Sequence, residues 1–376
     1  MPAKPSVQVA PGSLRVVQID SQMDHRWESF VTSHEDALIY HHPAWLQTLQ
    51  REYHRRSVAL ACVDSEGQLR GILPMMETRG LPFDMGRQMT RRRLCSLPRT
   101  PVAGPLALDE QAAAALVRAA VDLVRREPGT LLQLKVGPAS ATGSMEGMVG
   151  APWRLTYVLD LPACPDRLRF GNSRNHSRIR WAVNKATRLG VVVRPAETES
   201  ELSDWYRLYL DTMRLHAAPP RPYRFFQACW ELLEPRGLMQ LLLAERQKGG
   251  RKVLLAGSIF LMFGETVFYA FNGRQRDALS LRPNDAIHWY AIHEMCGRGF
   301  RHYDFGEVVE DNQGLIEFKS KWGTEARQLY RYYYPTPRHL QAGGEPGHSR
   351  RLGESLWRHL PLPVTALLGN QIYSYL

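Results

Sequence analysis

At 376 residues, with 44% hydrophobic and 23% charged side chains, the chain has the make-up of a folded protein and the length for two domains. Its five cysteines, Cys62, Cys95, Cys164, Cys229 and Cys296, are scattered and form no Cys-x-x-Cys pair, which argues against a zinc site or a disulfide framework and for a reducing compartment. A net charge of +11 suits an anionic partner (an RNA, a nucleotide-activated donor, a phosphate-bearing lipid precursor or a membrane surface) or else marks a basic surface with no partner, since arginine is spread throughout.

The opening Met1-Pro2-Ala3-Lys4-Pro5 lacks a signal peptide's apolar run, and no stretch is long and apolar enough to span a bilayer, so a cytoplasmic location is expected. Residues 1–12, rich in Pro and Ala, read as disordered. A first domain over 13–159 follows. Its strands are expected at Leu14–Ile19, Ser57–Val63, Gln68–Glu77, Arg91–Leu97, Leu131–Val136 and Trp153–Leu159. Helices are expected at Asp24–Thr32, Pro43–Tyr53 and Glu110–Arg126. A second domain spans 160–335. Its helices are Ser173–Gly190, with Gly190 as the stop, Glu199–Leu215, Tyr223–Leu233, Asp285–Arg298 and Leu315–Trp322. Its strands are Val191–Arg194, Met239–Arg246, Val253–Phe263, Thr266–Asn272, Arg301–Phe305 and Gln328–Tyr334. Residues 336–376 form a tail. The order in each half is strand, helices, antiparallel meander, helix, strand. That is an α+β, or mixed α/β, plan with little βαβ repetition, which disfavours a Rossmann fold and fits a duplicated domain.

Four places carry candidate chemistry. In the run Tyr303-Asp304-Phe305-Gly306-Glu307, a strand ends at carboxylates and a glycine, and a short helix then brings Lys319. Asp304 or Glu307 there would accept a proton from an attacking amine, and Lys319 would steady an oxyanion or a donor phosphate; the plainer alternative is a closed turn with a structural ion pair. Asp-Phe-Gly also occurs in kinases, but the glycine-rich and catalytic loops are missing. The second place is the helix start near Asp285, where Asn284 is the expected N-cap and Arg274, Arg276 and Arg282 either hold phosphate or are solvated. The third is the basic helix with Arg174 and Arg178 four apart on one face, and Ile179 and Trp181 on the expected buried side. It either holds an anionic substrate or is a charged face in water. The fourth is histidine: His41-His42 would point apart, and His293-Glu294 lacks the second histidine of a zincin helix, so no metal is expected. No Gly-x-Ser-x-Gly elbow or P-loop is present. The aromatic stretch Tyr206–Trp230 reads mainly as core, with its loop Ala217-Ala218-Pro219-Pro220 able to gate a cleft.

The run from Asp304-Phe305-Gly306 to Phe318-Lys319 and Trp322-Gly323 resembles the end of the FemAB-like group of the GNAT superfamily. In the same order, His42-Pro43-Ala44-Trp45, Gly71-Ile72-Leu73-Pro74, Leu97-Pro98 through Gly104-Pro105-Leu106, Asn175–Arg180 and Pro283-Asn284 resemble that group's other motifs, over about residues 13–335. The tail run Leu356–Pro363 is similar to an exopolysaccharide-associated subgroup. The resemblance implies two tandem GNAT-like domains. It implies transfer of an acyl or aminoacyl group to an amine on a peptidoglycan, other cell-envelope or exopolysaccharide precursor. The co-substrate would be acyl-CoA (acetyl-CoA) or aminoacyl-tRNA, with no tightly bound cofactor and no DNA partner. Asp304, Glu307 and Lys319 would be catalytic; Arg174, Arg178, Arg282, Asn284, Phe318 and Trp322 would bind substrate. Arg276–Leu281 lacks the glycines of the usual GNAT pyrophosphate loop, and the coiled-coil arm of some tRNA-using relatives is absent, so the donor stays open. The alternative is a non-catalytic RNA- or precursor-binding module. A third expectation is peripheral membrane contact through residues 352–376, set against docking of that tail on the body.

Overall fold

The computed structural model describes residues 14–79, 92–137, 142–337, 340 and 357–373. The expected disorder of 1–12 and most of the tail between 338 and 356 lie outside them. The first half contains β1 (Arg15–Ile19), α1 (His25–Ser33), α2 (Pro43–Tyr53), β2 (Ser57–Val63), β3 (Leu69–Thr78), β4 (Arg93–Cys95), β5 (Leu106–Ala107), α3 (Glu110–Arg125), β6 (Leu131–Val136) and β7 (Val149–Asp160). The second contains α4 (Ser173–Arg188), β8 (Val191–Pro195), α5 (Glu199–Leu215), α6 (Tyr223–Leu232), β9 (Met239–Lys248), β10 (Arg251–Phe263), β11 (Thr266–Arg274), α7 (Pro283–Gly297), β12 (His302–Val308), α8 (Gln313–Ser320) and β13 (Glu325–Tyr334). A last helix, α9, runs from Leu362 to Tyr373.

Local chemistry sets most boundaries. Asp24, Asp109 and Asn172 accept backbone N–H bonds at the starts of α1, α3 and α4. Thr198 and Glu201 form a reciprocal capping box on α5. Gly190 ends the α4 turn with φ of +78°, as its place in the sequence suggests. The strand expected over Arg91–Leu97 is shorter, Arg93–Cys95, because Leu97 and Arg99 take positive φ and turn the chain out of the sheet.

The strands form one continuous sheet in the order β1-β2-β3-β4-β6-β13-β7-β12-β11-β10-β9-β8, with β5 beside β3. Read inward from its two ends, that order repeats: β4 meets β6 in parallel, and β11 meets β12 in parallel. The last strand of each half has crossed to the other. β13 pairs with β6, and β7 pairs with β12, while β7 and β13 pair with each other at the centre. The molecule is therefore two units of one α+β plan that exchange their final strands.

Alternation along β2 divides the core between the two faces of the sheet. Val58, Leu60 and Cys62 face α3, whereas Ala59, Ala61 and Val63 join a second cluster with Trp27, Trp45, Trp205 and Phe225. That second cluster takes residues from α1, α2, α5 and α6, so both halves share one core. A third cluster packs α4 and α7 against the other face of the second half. Gly273 permits the close approach of α5 to β11: a Cβ there would lie 2.6 Å from the backbone nitrogen of Tyr209.

Candidate active site

The parallel ladder between β11 and β12 lasts for three residue pairs, Thr266–His302, Val267–Tyr303 and Phe268–Asp304. Both strands continue, β11 to Arg274 and β12 to Val308, so they part at Asp304. A wedge opens there in the middle of the sheet, a place where the fold leaves backbone unpaired. The matching wedge of the first half lies beyond the Cys95–Gln133 pair. There the chain closes it: Ser96 N–H donates to Gln133 O, Ala103 N–H to Lys135 O, and Lys135 Nζ to Leu97 O at 2.5 Å. Burial pushes the Lys135 ammonium down to about 7. Gln133 stands where the second half has Asp304, so the carboxylate belongs to one wedge alone.

Asp304 is buried. Its Oδ1 accepts from Thr156 Oγ1 at 2.5 Å and from the Gly306 N–H at 2.7 Å. Burial raises its pKa, against those two hydrogen bonds and the charge of Lys319. The ladder between β12 and β7 breaks between Asp304 and Glu307, and Gly306 takes φ of +80° in that bulge. These residues sit within β12 rather than at its end, where the sequence placed them; the bulge lets the strand run on to Val308.

The bulge turns two carbonyls toward α8. Lys319 Nζ donates to Gly306 O at 2.8 Å and to Glu307 O at 3.4 Å. Asn312 caps α8 by accepting the Leu315 N–H, which fixes the direction from which Lys319 arrives. Burial lowers the Lys319 pKa to about 8, with Asp304 and Glu307 pulling the other way. Glu307 turns away from Lys319 and accepts from Arg154 Nη1 at 2.7 Å and Trp153 Nε1 at 3.1 Å, with Arg331 Nη2 at 3.8 Å. Asp304, Glu307 and Lys319 thus share one neighbourhood, as the sequence suggested, but the two carboxylates have different partners.

Behind them, His288 donates to or accepts from Tyr303 Oη at 2.8 Å and is ringed by Tyr269, Phe305, Phe318 and Trp322. Burial first, then Lys321 and Lys319, hold it well below the usual imidazole range, so it is a neutral core group. Trp322, expected to bind substrate, is fully buried against Phe170 and supports the site from behind. Phe318 is partly buried, with Lys321 Nζ 4.3 Å from its ring centre; Lys321 also bonds Asp285 Oδ1 at 2.5 Å.

Arg174 and Arg178 are exposed on α4, which carries Arg180, Lys185 and Arg188 but no acidic residue. Trp181 is 51% exposed, not buried as expected; Ile179, Ala182 and Ala186 make the inward face instead. Lys185 Nζ and the Arg282 guanidinium lie 5.4 and 5.7 Å from the Trp181 ring centre, which brings the start of α7 against α4. The N-cap of α7 is Arg282, with φ of +60° and no side-chain cap, and Asn284 lies inside the first turn. Pro283 begins that helix, displacing the cap by two residues. Asn284 Oδ1 accepts from Asn272 Nδ2 at 3.4 Å. The Ala217–Pro220 loop is no gate. It lies under α9, where Gly369 meets Pro220. His41 is buried and bonded to Gly104 O at 3.2 Å, with burial pushing it down to about 4.

Sequence reasoning missed Thr156, Trp153, Arg154 and Arg331. They reach the site because β7 and β13 have exchanged units, and no local pattern signals that exchange.

Residues 173–320 match the family model described as Acetyltransferase (GNAT) domain. The chain therefore carries a GNAT acetyltransferase domain. Its matched segment holds Asp304, Glu307 and Lys319 together with α4 and α7. Among solved structures the chain is similar to FemX, at 15% identity, over 88% of this chain and 100% of that one, with a TM-score of 0.64. It is similar to the C-terminal domain of a putative lysylphosphatidylglycerol synthetase from Agrobacterium fabrum, at 12% identity, over 88% and 93%, with a TM-score of 0.54. A third likeness is to L-PGS from Bacillus licheniformis, at 12% identity, over 93% and 97%, with a TM-score of 0.53. At these identities the shared property is the fold alone. No curated protein matches by sequence.

Proposed function

We propose that the second unit transfers an acyl or aminoacyl group from an anionic activated donor to an amine on a cell-envelope precursor. The observation that carries this reading is Lys319. Its buried ammonium is pinned by two carbonyls at the point where β11 and β12 part. Two of its three N–H bonds have protein acceptors, which leaves one for a reacting oxygen. The amine nitrogen attacks the donor's carbonyl carbon, and Lys319 stabilises the resulting oxyanion. As the tetrahedral intermediate collapses, the C–N bond is kept and the ester or thioester bond breaks. Asp304 takes the amine proton on Oδ2, because Oδ1 already receives Thr156 and Gly306. The leaving oxygen or sulfur then takes up the proton that Asp304 received, which restores the carboxylate. Glu307 holds Arg154, Arg331 and Trp153 and frames the mouth.

The donor's phosphates would meet the acid-free face of α4 with Arg174, Arg178 and Arg282. That surface suits acyl-CoA or aminoacyl-tRNA alike. The likeness to FemX and to a putative lysylphosphatidylglycerol synthetase domain supports an acceptor from the cell envelope. The test has two parts. Thermal shifts with acetyl-CoA, longer acyl-CoAs and aminoacyl-tRNA identify the donor, since a ligand bound only by the native state raises its apparent stability. Transfer to an amine acceptor is then measured for the wild type and for Lys319→Ala. Turnover that survives this substitution removes Lys319 from the chemistry.

A further inference from the structure

We propose that the outer face of α9 is a docking surface for an anionic lipid bilayer. The helix carries no charged residue between Leu362 and Tyr373, and it is seated inside out. Toward the body it turns small or polar positions, Thr365 and Gly369, with Tyr373 at the end; toward solvent it turns Val364 (39% exposed), Leu367 (60%) and Leu368 (37%). Positions i, i+3 and i+4 make a single stripe, the spacing by which a helix normally hides its apolar side. Here that side faces water.

The helix cannot roll to bury it. A Cβ on Gly369 would lie 2.6 Å from Pro220, so the inward face is set by a contact that only glycine allows. Arg214 Nη1 donates to Leu360 O at 3.3 Å, Arg224 Nη1 donates to Asn370 Oδ1, and the Tyr373 ring lies 4.3 Å from the Arg99 guanidinium. The stripe is therefore a fixed surface rather than a segment waiting to fold inward.

Charge decides what covers it. Arg99, Arg224 and Arg358 lie by the helix and are exposed, and among the described residues none of them makes a salt bridge; the nearest buried acid, Glu52, is bonded to Arg221, and Asp211 and Glu231 are paired with Arg214 and Arg51. An apolar stripe with exposed, net positive charge beside it matches a layer of anionic headgroups over acyl chains. A second copy of the chain would bring these arginines against one another across a twofold axis. Twelve residues are too few to cross a bilayer, and no described helix is long and apolar enough to do so, so α9 would lie in the interface.

The full chain is sedimented with vesicles of phosphatidylglycerol and phosphatidylcholine, and with phosphatidylcholine alone. The expected result is binding to the anionic vesicles, lowered at least tenfold by the Leu367→Asp, Leu368→Asp double substitution, with circular dichroism and transfer to a soluble amine unchanged. Leu367→Ser is the milder variant if the double one unfolds, and should lower binding several-fold. Equal binding by wild type and variants would assign the effect to general basicity and overturn the proposal. So would absence of binding to either vesicle, or a wild-type dimer that ignores vesicles and becomes monomeric on substitution.

Discussion

Lys319 is where a single side chain concentrates the argument. Its amine leaves water for a site where two carbonyls and the nearby carboxylates compensate in part, and its pKa falls to about 8. If the ammonium stabilises the oxyanion, kcat/KM falls as pH rises through about 8, when the proton is lost. Lys319→Arg keeps a charge that does not titrate in this range, so its profile should lack that descending limb, whatever its height. Lys319→Ala should lower kcat by about 10²–10³-fold, the usual loss on removing one oxyanion donor. Stability responds with the opposite sign. The unfolded lysine keeps its proton up to its ordinary 10.5, so between about 8 and 10.5 the unfolded chain binds more protons and this group makes the fold more stable as pH rises. Urea midpoints of wild type and Lys319→Met across that range isolate the contribution.

Between elements, the decisive contact joins α2 to the turn before α6. Arg221 Nη1 lies 3.3 Å from Glu52 Oε2, Nη2 donates to Arg99 O at 2.8 Å, and both side chains are buried. Burial pushes the Glu52 carboxyl up to about 7, with Arg221 drawing it back. Removing one partner of such a pair leaves the other charged and alone, so Arg221→Ala should destabilise the protein by about 3–5 kcal/mol in urea titration. The Glu52→Leu, Arg221→Met double variant should recover most of that loss, because no charge then remains buried. Neither residue stood out in the sequence, although the helices that bring them together did. Pro43–Tyr53, from its opening Pro, and Glu199–Leu215, from its amphipathic pattern, were legible to the residue. So was the approach of Lys319 to Asp304 and Gly306, since a strand, a short loop and a short helix bring them close. Trp181 was misread because an amphipathic pattern assigns a large aromatic to the core, and here three smaller residues fill that face. Arg282 took the cap expected of Asn284 because Pro283 can start a helix and Asn284 then falls inside it.

The exchange of β7 and β13 makes the molecule one folding unit although it has two of everything. A chain of residues 160–337 would carry every matched GNAT position from 173 to 320. It would lack β7, which pairs with both β12 and β13, and with β7 go Thr156, Trp153 and Arg154. The loss exposes the edges of two strands in the centre of the sheet and leaves the buried Asp304 without its hydroxyl donor. Residues 14–160 would in turn leave β6 without β13. Neither piece should fold alone. The full chain should unfold in one transition, coincident by far-ultraviolet circular dichroism and by tryptophan fluorescence, because Trp27, Trp45 and Trp205 lie in the cluster that both halves build. Two separated transitions, or a cooperative melt of residues 160–337 in isolation, would show that the exchanged strands add little to either unit. Coexpression of the two pieces gives the sharper form of the test: the exchange predicts that they form a complex, and that amine acylation returns only when both are present.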